Sequence, residues 1–353
     1  MEKEIVMFKK VISFLIAMII LCLSAVTVNA VSFEAGKDEL VQQFNGGTGP
    51  EVNGFEIDYN FYSPAHKDLS KKYPLVIWLH GMGDGAEHDT AINKSNISYW
   101  TSDEFQARFE SAGGAYIFVP RSLEEQANYW GDNLIEPLKA AIDEFIDNNR
   151  DNIDLSRIYV GGYSMGGKMT LKMAVAYPEM FAAIFPICPA WSPADKYLEN
   201  IKDIPTWIVS SKKDPLVNYY LAVNPLWNHL TAMSTVAEEC RFSTLTTVCY
   251  EDGSKTSSSH HAWFAVNHDL FKNDGTDYPY MSTVNGKGEE VKLTYPNGMI
   301  SWLDSHTSDY DGSKSTGSGK LDISVASDRL VGVNSIAEFF EAVWFAIKDI
   351  FSF

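Results

Sequence analysis

Cysteine is scarce in this chain. There are four in 353 residues, too few and too irregularly spaced for a disulfide framework or a zinc site. Cys22 lies in an N-terminal apolar run and follows Leu21, where a lipoprotein signal would place a small residue. Cys240 and Cys249 could close a short loop in an oxidising compartment, with two buried thiols as the alternative. Positive charge is also in short supply: 28 Lys and Arg stand against 46 Asp and Glu, a net charge of −18. Such a surface repels nucleic acid. The sequence contains no glycine-rich phosphate loop, no metal-ligand spacing and no dinucleotide fingerprint, so neither a cofactor nor a metal is expected.

The apolar fraction, by contrast, is 45%, ample for a full core. Lys9 and Lys10 precede an apolar run from Val11 to Val28, closed by Val28-Asn29-Ala30. This pattern predicts a signal peptide over residues 1–30 and a secreted or extracellular-surface protein, with an uncleaved membrane anchor as the alternative. Its removal takes away three lysines and two glutamates and leaves the remainder more acidic still. At the other end, residues 305–334 open on a Ser-, Gly- and Asp-rich stretch that reads as a flexible linker. Residues 335–353 then carry Ile336, Phe339, Phe340, Val343, Trp344, Ile347 and Ile350 at helical steps, an amphipathic C-terminal helix. Its acidic residues Glu338, Glu341 and Asp349 disfavour anionic lipid, so a protein partner, a cell surface or a weak membrane contact is expected there.

Between these ends, residues 31–304 alternate strand-like and helix-like segments. Phe55–Tyr62 alternates apolar and polar side chains as a half-buried strand near a sheet edge does. Tyr73–Leu79 and Ala115–Pro120 are continuous apolar runs, as in strands covered on both faces. Leu134, Leu138, Ala141, Ile142, Phe145 and Ile146 share one helical face. Further strands are predicted at Ile158–Gly161, Phe181–Cys188, Thr206–Ser210 and Leu245–Tyr250, followed by a polar insertion to Pro296 and a helix near Met299–Ser305. This succession implies an α/β fold: a mostly parallel sheet with helices on both faces and its ligands at the carboxyl ends of the strands.

Gly162-Tyr163-Ser164-Met165-Gly166 joins the strand at Ile158 to a helix-forming segment. A G-x-S-x-G run between strand and helix is a nucleophile elbow, which makes Ser164 the candidate nucleophile. A serine hydroxyl needs a base to take its proton and donors to hold the oxyanion that forms at an attacked carbonyl. Asp214 follows the strand at Thr206, and the pair His260-His261 follows the last predicted strand. The order Ser, Asp, His is that of the α/β-hydrolase fold. Neighbouring residues point in different directions, so only one histidine of the pair can face Ser164. Candidate oxyanion donors are the backbone N–H of Met165 and, from the loop opened by His80-Gly81, that of Met82; the ring of His80 is expected to order this loop. Tyr129, Trp130 and Trp191 lie on carboxyl-end loops and are candidate substrate contacts, with core packing as the alternative.

Asn152–Gly167, with Ala176-Tyr-Pro-Glu-Met-Phe-Ala-Ala183 and Pro186-Ile-Cys188, resembles the secreted esterases related to the prolyl oligopeptidase family, whose neighbours are feruloyl esterases and polyhydroxybutyrate depolymerase-like enzymes. The resemblance runs from about Phe55 to Ser305. It implies a Ser-His-Asp serine esterase acting through an acyl-enzyme on a small-molecule or polysaccharide-linked ester. Ser164 would be the nucleophile and Asp214, in Lys-Asp-Pro-Leu-Val, the acid. The His-x-x-Trp pattern of the resembling enzymes falls on His260 and Trp263, which implies His260 as the base. The chain departs from the resemblance at Ser210-Ser211, where His-Gly is usual, and in a longer insertion after the histidine. Two other readings remain: a serine peptidase of the prolyl oligopeptidase type, whose additional gating domain residues 31–54 cannot supply, and a surface-attached, non-catalytic binding protein on a hydrolase scaffold.

Overall fold

The computed structural model describes residues 37–65, 67–123, 129–250, 254–269, 281–293 and 298–313. The expected signal peptide, the C-terminal helix over 335–353 and all of the expected linker beyond Ser313 lie outside these residues.

Nine strands form one sheet: β1 (Asn45–Thr48), β2 (Asp58–Tyr62), β3 (Tyr73–Leu79), β4 (Tyr116–Pro120), β5 (Ile153–Tyr163), β6 (Ala183–Ile187), β7 (Trp207–Ser211), β8 (Arg241–Leu245) and β9 (Met281–Asn285). Their order is β1-β2-β4-β3-β5-β6-β7-β8-β9. From β4 to β8 all neighbours are parallel. β1 and β2 extend one side of this block and β9 the other, all antiparallel. The three longest described helices are α1 (Ile135–Asn148), α2 (Met165–Ala176) and α3 (Asn224–Met233).

The sheet order fixes where a ligand can bind. From β3 the chain steps one way to β4, then returns across β3 to β5 and continues in that direction to β8. Right-handed crossovers therefore put the β3–β4 connection on one face of the sheet and α1, α2 and α3 on the other. The reversal opens a crevice at the carboxyl ends of β3 and β5. His80 follows β3 and Ser164 follows β5.

Every residue of the central strands β3, β4, β6 and β7 is buried, and all are apolar except Ser210 and Ser211, which end β7 at the carboxyl edge of the sheet. Trp78, Trp100 and Phe185 stack at the centre, the ring centroid of Phe185 lying 6.1 Å from that of Trp78 and 5.9 Å from that of Trp100. α2 packs on β3, β5 and β6. That contact requires two glycines, since a Cβ at Gly162 would overlap the Leu79 carbonyl oxygen, and one at Gly166 the carbonyl oxygens of Leu79 and His80.

The structure corrects the sequence reading in several places. The last parallel strand is Arg241–Leu245, not Leu245–Tyr250. Its polar residues are buried with partners: Ser243 Oγ accepts from Trp207 Nε1 at 2.9 Å and bonds Thr283 Oγ1 at 2.7 Å. The polar insertion contributes β9, which covers what would otherwise be the open edge of β8. Of the two alternatives left open for Cys240 and Cys249, the structure has the second: both are buried thiols and are not bridged. Residues 305–313, expected as the start of the linker, are tied to the body. Tyr159 Oη donates to His306 O, Ser308 N to Ser156 O, and Arg150 to Asp311 O.

Two glycines with opposite demands test this packing. Gly54 has φ +82 and open space around it, so Gly54→Ala should cost only about 1–2 kcal/mol, the strain of a left-handed residue. Gly166→Ala drives a Cβ into backbone and should cost about 3 kcal/mol or more. Urea unfolding of both variants decides it, and an equal or smaller loss at Gly166 would contradict the close approach.

Candidate active site

The serine is presented by strain. Ser164 has φ 57 and ψ −116, a conformation side chains rarely adopt. The surrounding backbone holds it there. Its N–H donates to Ile187 O at 2.9 Å, and its carbonyl accepts from Lys168 N at 2.9 Å and Ala190 N at 3.0 Å. Ser164 is half-buried and stands directly before α2, whose first residue is Met165. The N–H groups of a helix's first turn have no partner within the helix and face its N-terminal end.

The loop after β3 is fixed from several sides. The His80 ring is fully buried, with Nδ1 2.7 Å from Gly81 O, while Nε2 accepts from Ser122 N at 3.0 Å. Because Nε2 accepts, the proton sits on Nδ1. Burial pushes the His80 pKa down to about 4, so this ring stays neutral and orders the loop. Trp130 Nε1 donates to His80 O at 2.9 Å, and Trp130 N to Ser122 Oγ at 2.9 Å. Asp84, further along the loop, accepts a hydrogen bond from Tyr163 Oη. That bond joins the loop to the residue before Ser164. Burial raises the pKa of Asp84, and burial together with the Asp84 charge raises that of Tyr163. Met82, in the same loop, is 63% exposed.

β7 and the segment after β8 deliver the other two groups. The Asp214 side chain is 0% exposed. Its Oδ1 accepts from Leu216 N at 2.8 Å and Val217 N at 2.9 Å, and its Oδ2 lies 2.7 Å from His260 Nδ1. His260 is buried and its ring centroid is 6.4 Å from that of Tyr163, the residue before Ser164. Burial opposes charge on His260, but the Cys188 sulfur and the Asp214 carboxylate outweigh it and hold its pKa above the ordinary imidazole value. His261 is half-buried beside Trp263, with ring centroids 5.8 Å apart, and its pKa is lowered by burial and by His260. His260 is thus the member of the pair that meets Asp214.

The aromatic candidates fare differently. Trp130 is fully buried, its ring 5.1 Å from that of His80, so it holds the loop and does not present a face to substrate. Trp191 is also buried, with the Lys172 ammonium 5.2 Å from its ring. Tyr129 is half-buried with φ 54. Two members of the site escaped the sequence reading. Asp84 could have been suspected from an acidic residue between glycines in the loop. Nothing in the sequence connects Cys188 to His260, whose carbonyl oxygen lies 3.5 Å from the thiol.

A predominantly parallel sheet with a strained serine after its central strand and a carboxylate–imidazole pair at the same sheet end is that of an α/β-hydrolase. Within that class the chain belongs to the family described as "Putative esterase", whose model matches residues 51–273. It is 29% identical over 147 residues to a poly(3-hydroxybutyrate) depolymerase from Ralstonia pickettii, covering 38% of this chain and 29% of that protein. It is 31% identical over 127 residues to dipeptidyl aminopeptidase A from Saccharomyces cerevisiae, covering 34% of this chain and 13% of that one. The chain therefore spans less than a third of the length of either relative. The crystal structure of a thermostable esterase superimposes with a TM-score of 0.54 at 26% identity, covering 65% of this chain and 61% of the other.

Trp130→Phe removes the donor to the buried His80 carbonyl while keeping most of the ring. It should lower stability by about 1–3 kcal/mol in urea unfolding, the cost of an unsatisfied buried acceptor, and leave KM for an ester unchanged. Unchanged stability with a raised KM would instead put Trp130 against substrate.

Proposed function

We propose that the chain is an exported serine hydrolase acting on carboxylic esters. The observation that carries this reading is the buried Asp214–His260 pair, 2.7 Å apart, at the sheet end where Ser164 is held at φ 57. Ser164 Oγ attacks the ester carbonyl while His260 Nε2 takes its proton. Asp214 holds the Nδ1–H and stabilises the imidazolium that forms. The N–H groups of Met165 and Met82 receive the oxyanion. His260 then gives its proton to the leaving alcohol, and water releases the acyl group from Ser164. The apolar N-terminal run with its Val28-Asn29-Ala30 end supports export by a cleaved signal peptide. The amphipathic stripe over 335–353 suits a protein partner or a weak membrane contact.

A peptidase is the second reading, favoured by the similarity to dipeptidyl aminopeptidase A. A panel of chromogenic acyl esters with an aminoacyl anilide separates the two, and anilide turnover outpacing every ester would select the peptidase.

Ser164→Ala and His260→Ala should each reduce ester turnover by about 10³-fold or more, with folding intact. His261→Ala should cost about tenfold or less. The reverse order for the two histidines would make His261 the base. The acid limb carries a further expectation. The base must be neutral to accept a proton, so kcat/KM rises with pH as His260 deprotonates. Since its pKa is held up, the half-rise should fall above about 6.5, the ordinary imidazole value. A half-rise at or below that pH would contradict the environment described for His260.

A further inference from the structure

Cys188 is fully buried at the end of β6 with φ 35, a left-handed backbone anchored by its N–H to Val209 O at 2.8 Å. Its sulfur, a carboxylate oxygen of Asp214 and a ring nitrogen of His260 all lie within 4.8 Å of one another. Thiolate, imidazole and carboxylate are the three donor types that bind Zn²⁺ and related borderline-soft ions, while Mg²⁺ and Ca²⁺ prefer oxygen alone. With bonds of about 2.3 Å to sulfur and about 2.0–2.2 Å to nitrogen and oxygen, ligands on one tetrahedral ion sit roughly 3.3–3.7 Å apart. With Asp214 Oδ2 and His260 Nδ1 2.7 Å apart and all three ligand atoms inside 4.8 Å, side-chain rotation alone can bring the groups to that spacing. They come from the ends of β6 and β7 and from the segment after β8, so the cluster is built by the sheet and not by chance on one loop.

We propose that Cys188, Asp214 and His260 form an inhibitory site for a thiophilic divalent cation of the Zn²⁺ type. Binding converts the thiol to a metal thiolate and releases its proton to water. Asp214 Oδ2 and His260 Nδ1, the atoms that face each other, turn from one another to the ion, and a water completes the coordination. The proton on Nδ1 passes through solvent to Nε2, with no change of oxidation state. His260 then carries N–H where it would accept the proton of Ser164, and Asp214 no longer orients it. The inhibitory effect rests on the roles proposed for Asp214 and His260, whereas the binding itself does not.

Binding is tested without turnover by titrating the full-length wild-type protein with Co²⁺ and following the thiolate-to-cobalt charge-transfer absorption in the near ultraviolet. The band should saturate at one ion per chain, disappear on adding Zn²⁺ in equal amount, persist in excess Mg²⁺, and be absent from Cys188→Ala and Cys188→Ser. In parallel, Zn²⁺ should inhibit ester hydrolysis reversibly, with activity restored by EDTA. Each Cys188 variant, measured against its own uninhibited rate, should need about 100-fold more Zn²⁺ or more for half-inhibition. No cobalt–thiolate band in the wild type overturns the site even if both variants fail to fold. A band without inhibition, or inhibition as strong in Cys188→Ser as in wild type, overturns the inhibitory role. A protein inactive on every ester would count against the proposed function, and the cobalt titration would still decide the site.

Discussion

The close contact between the nucleophile elbow and the strand beside it governs the architecture of the site. Gly162 and Gly166 leave no room for a side chain against the Leu79 and His80 backbone. Their lack of Cβ lets β5 and α2 close down on β3, and that approach places the strained Ser164 next to the loop opened by His80. Two backbone bonds from Lys168 and Ala190 to the Ser164 carbonyl keep the strain from relaxing. A conformation costing of order 1–3 kcal/mol persists only where its surroundings over-determine it, and here β6, α2 and the loop after β6 all contribute.

The second constraint is electrostatic. A carboxylate with no exposed surface would be costly alone, but Asp214 accepts two backbone N–H groups and faces an imidazole. The site also holds a second buried histidine of opposite tendency. His80 is pushed down and locked into one tautomer by Gly81 and Ser122, whereas His260 is held up by Cys188 and Asp214. One ring is thereby fixed as a structural piece of the loop. The other has its charged form favoured by its neighbours, and burial alone does not distinguish them; their partners do.

The parallel core was legible because β3, β4 and β6 are apolar along their whole length and β7 opens on the apolar run Trp207-Ile-Val209, and the elbow was legible because its glycines and serine occur at fixed steps. β8 was not, since its interior carries Ser243 and Thr244 whose partners, Trp207, Thr283 and Tyr219, come from distant parts of the chain. The apolar Val248-Cys249-Tyr250 nearby offered a more conventional strand pattern. Trp130 and Trp191 illustrate a different limit: an indole on a carboxyl-end loop looks the same in sequence whether it faces substrate or, as Trp130 does, spends its N–H on a loop carbonyl. The place of Cys188 beside Asp214 and His260 follows from sheet order and could not be read from spacing.

The central claim is that Ser164 is a nucleophile activated by His260. Reaction with a fluorophosphonate probe, followed by peptide mass spectrometry, tests it most directly because phosphonylation needs an activated serine and no particular substrate. One adduct per chain is expected, on the peptide bearing Ser164, formed far more slowly in His260→Ala than in His261→Ala. An unlabelled wild-type protein, or an adduct on any other residue, would contradict it.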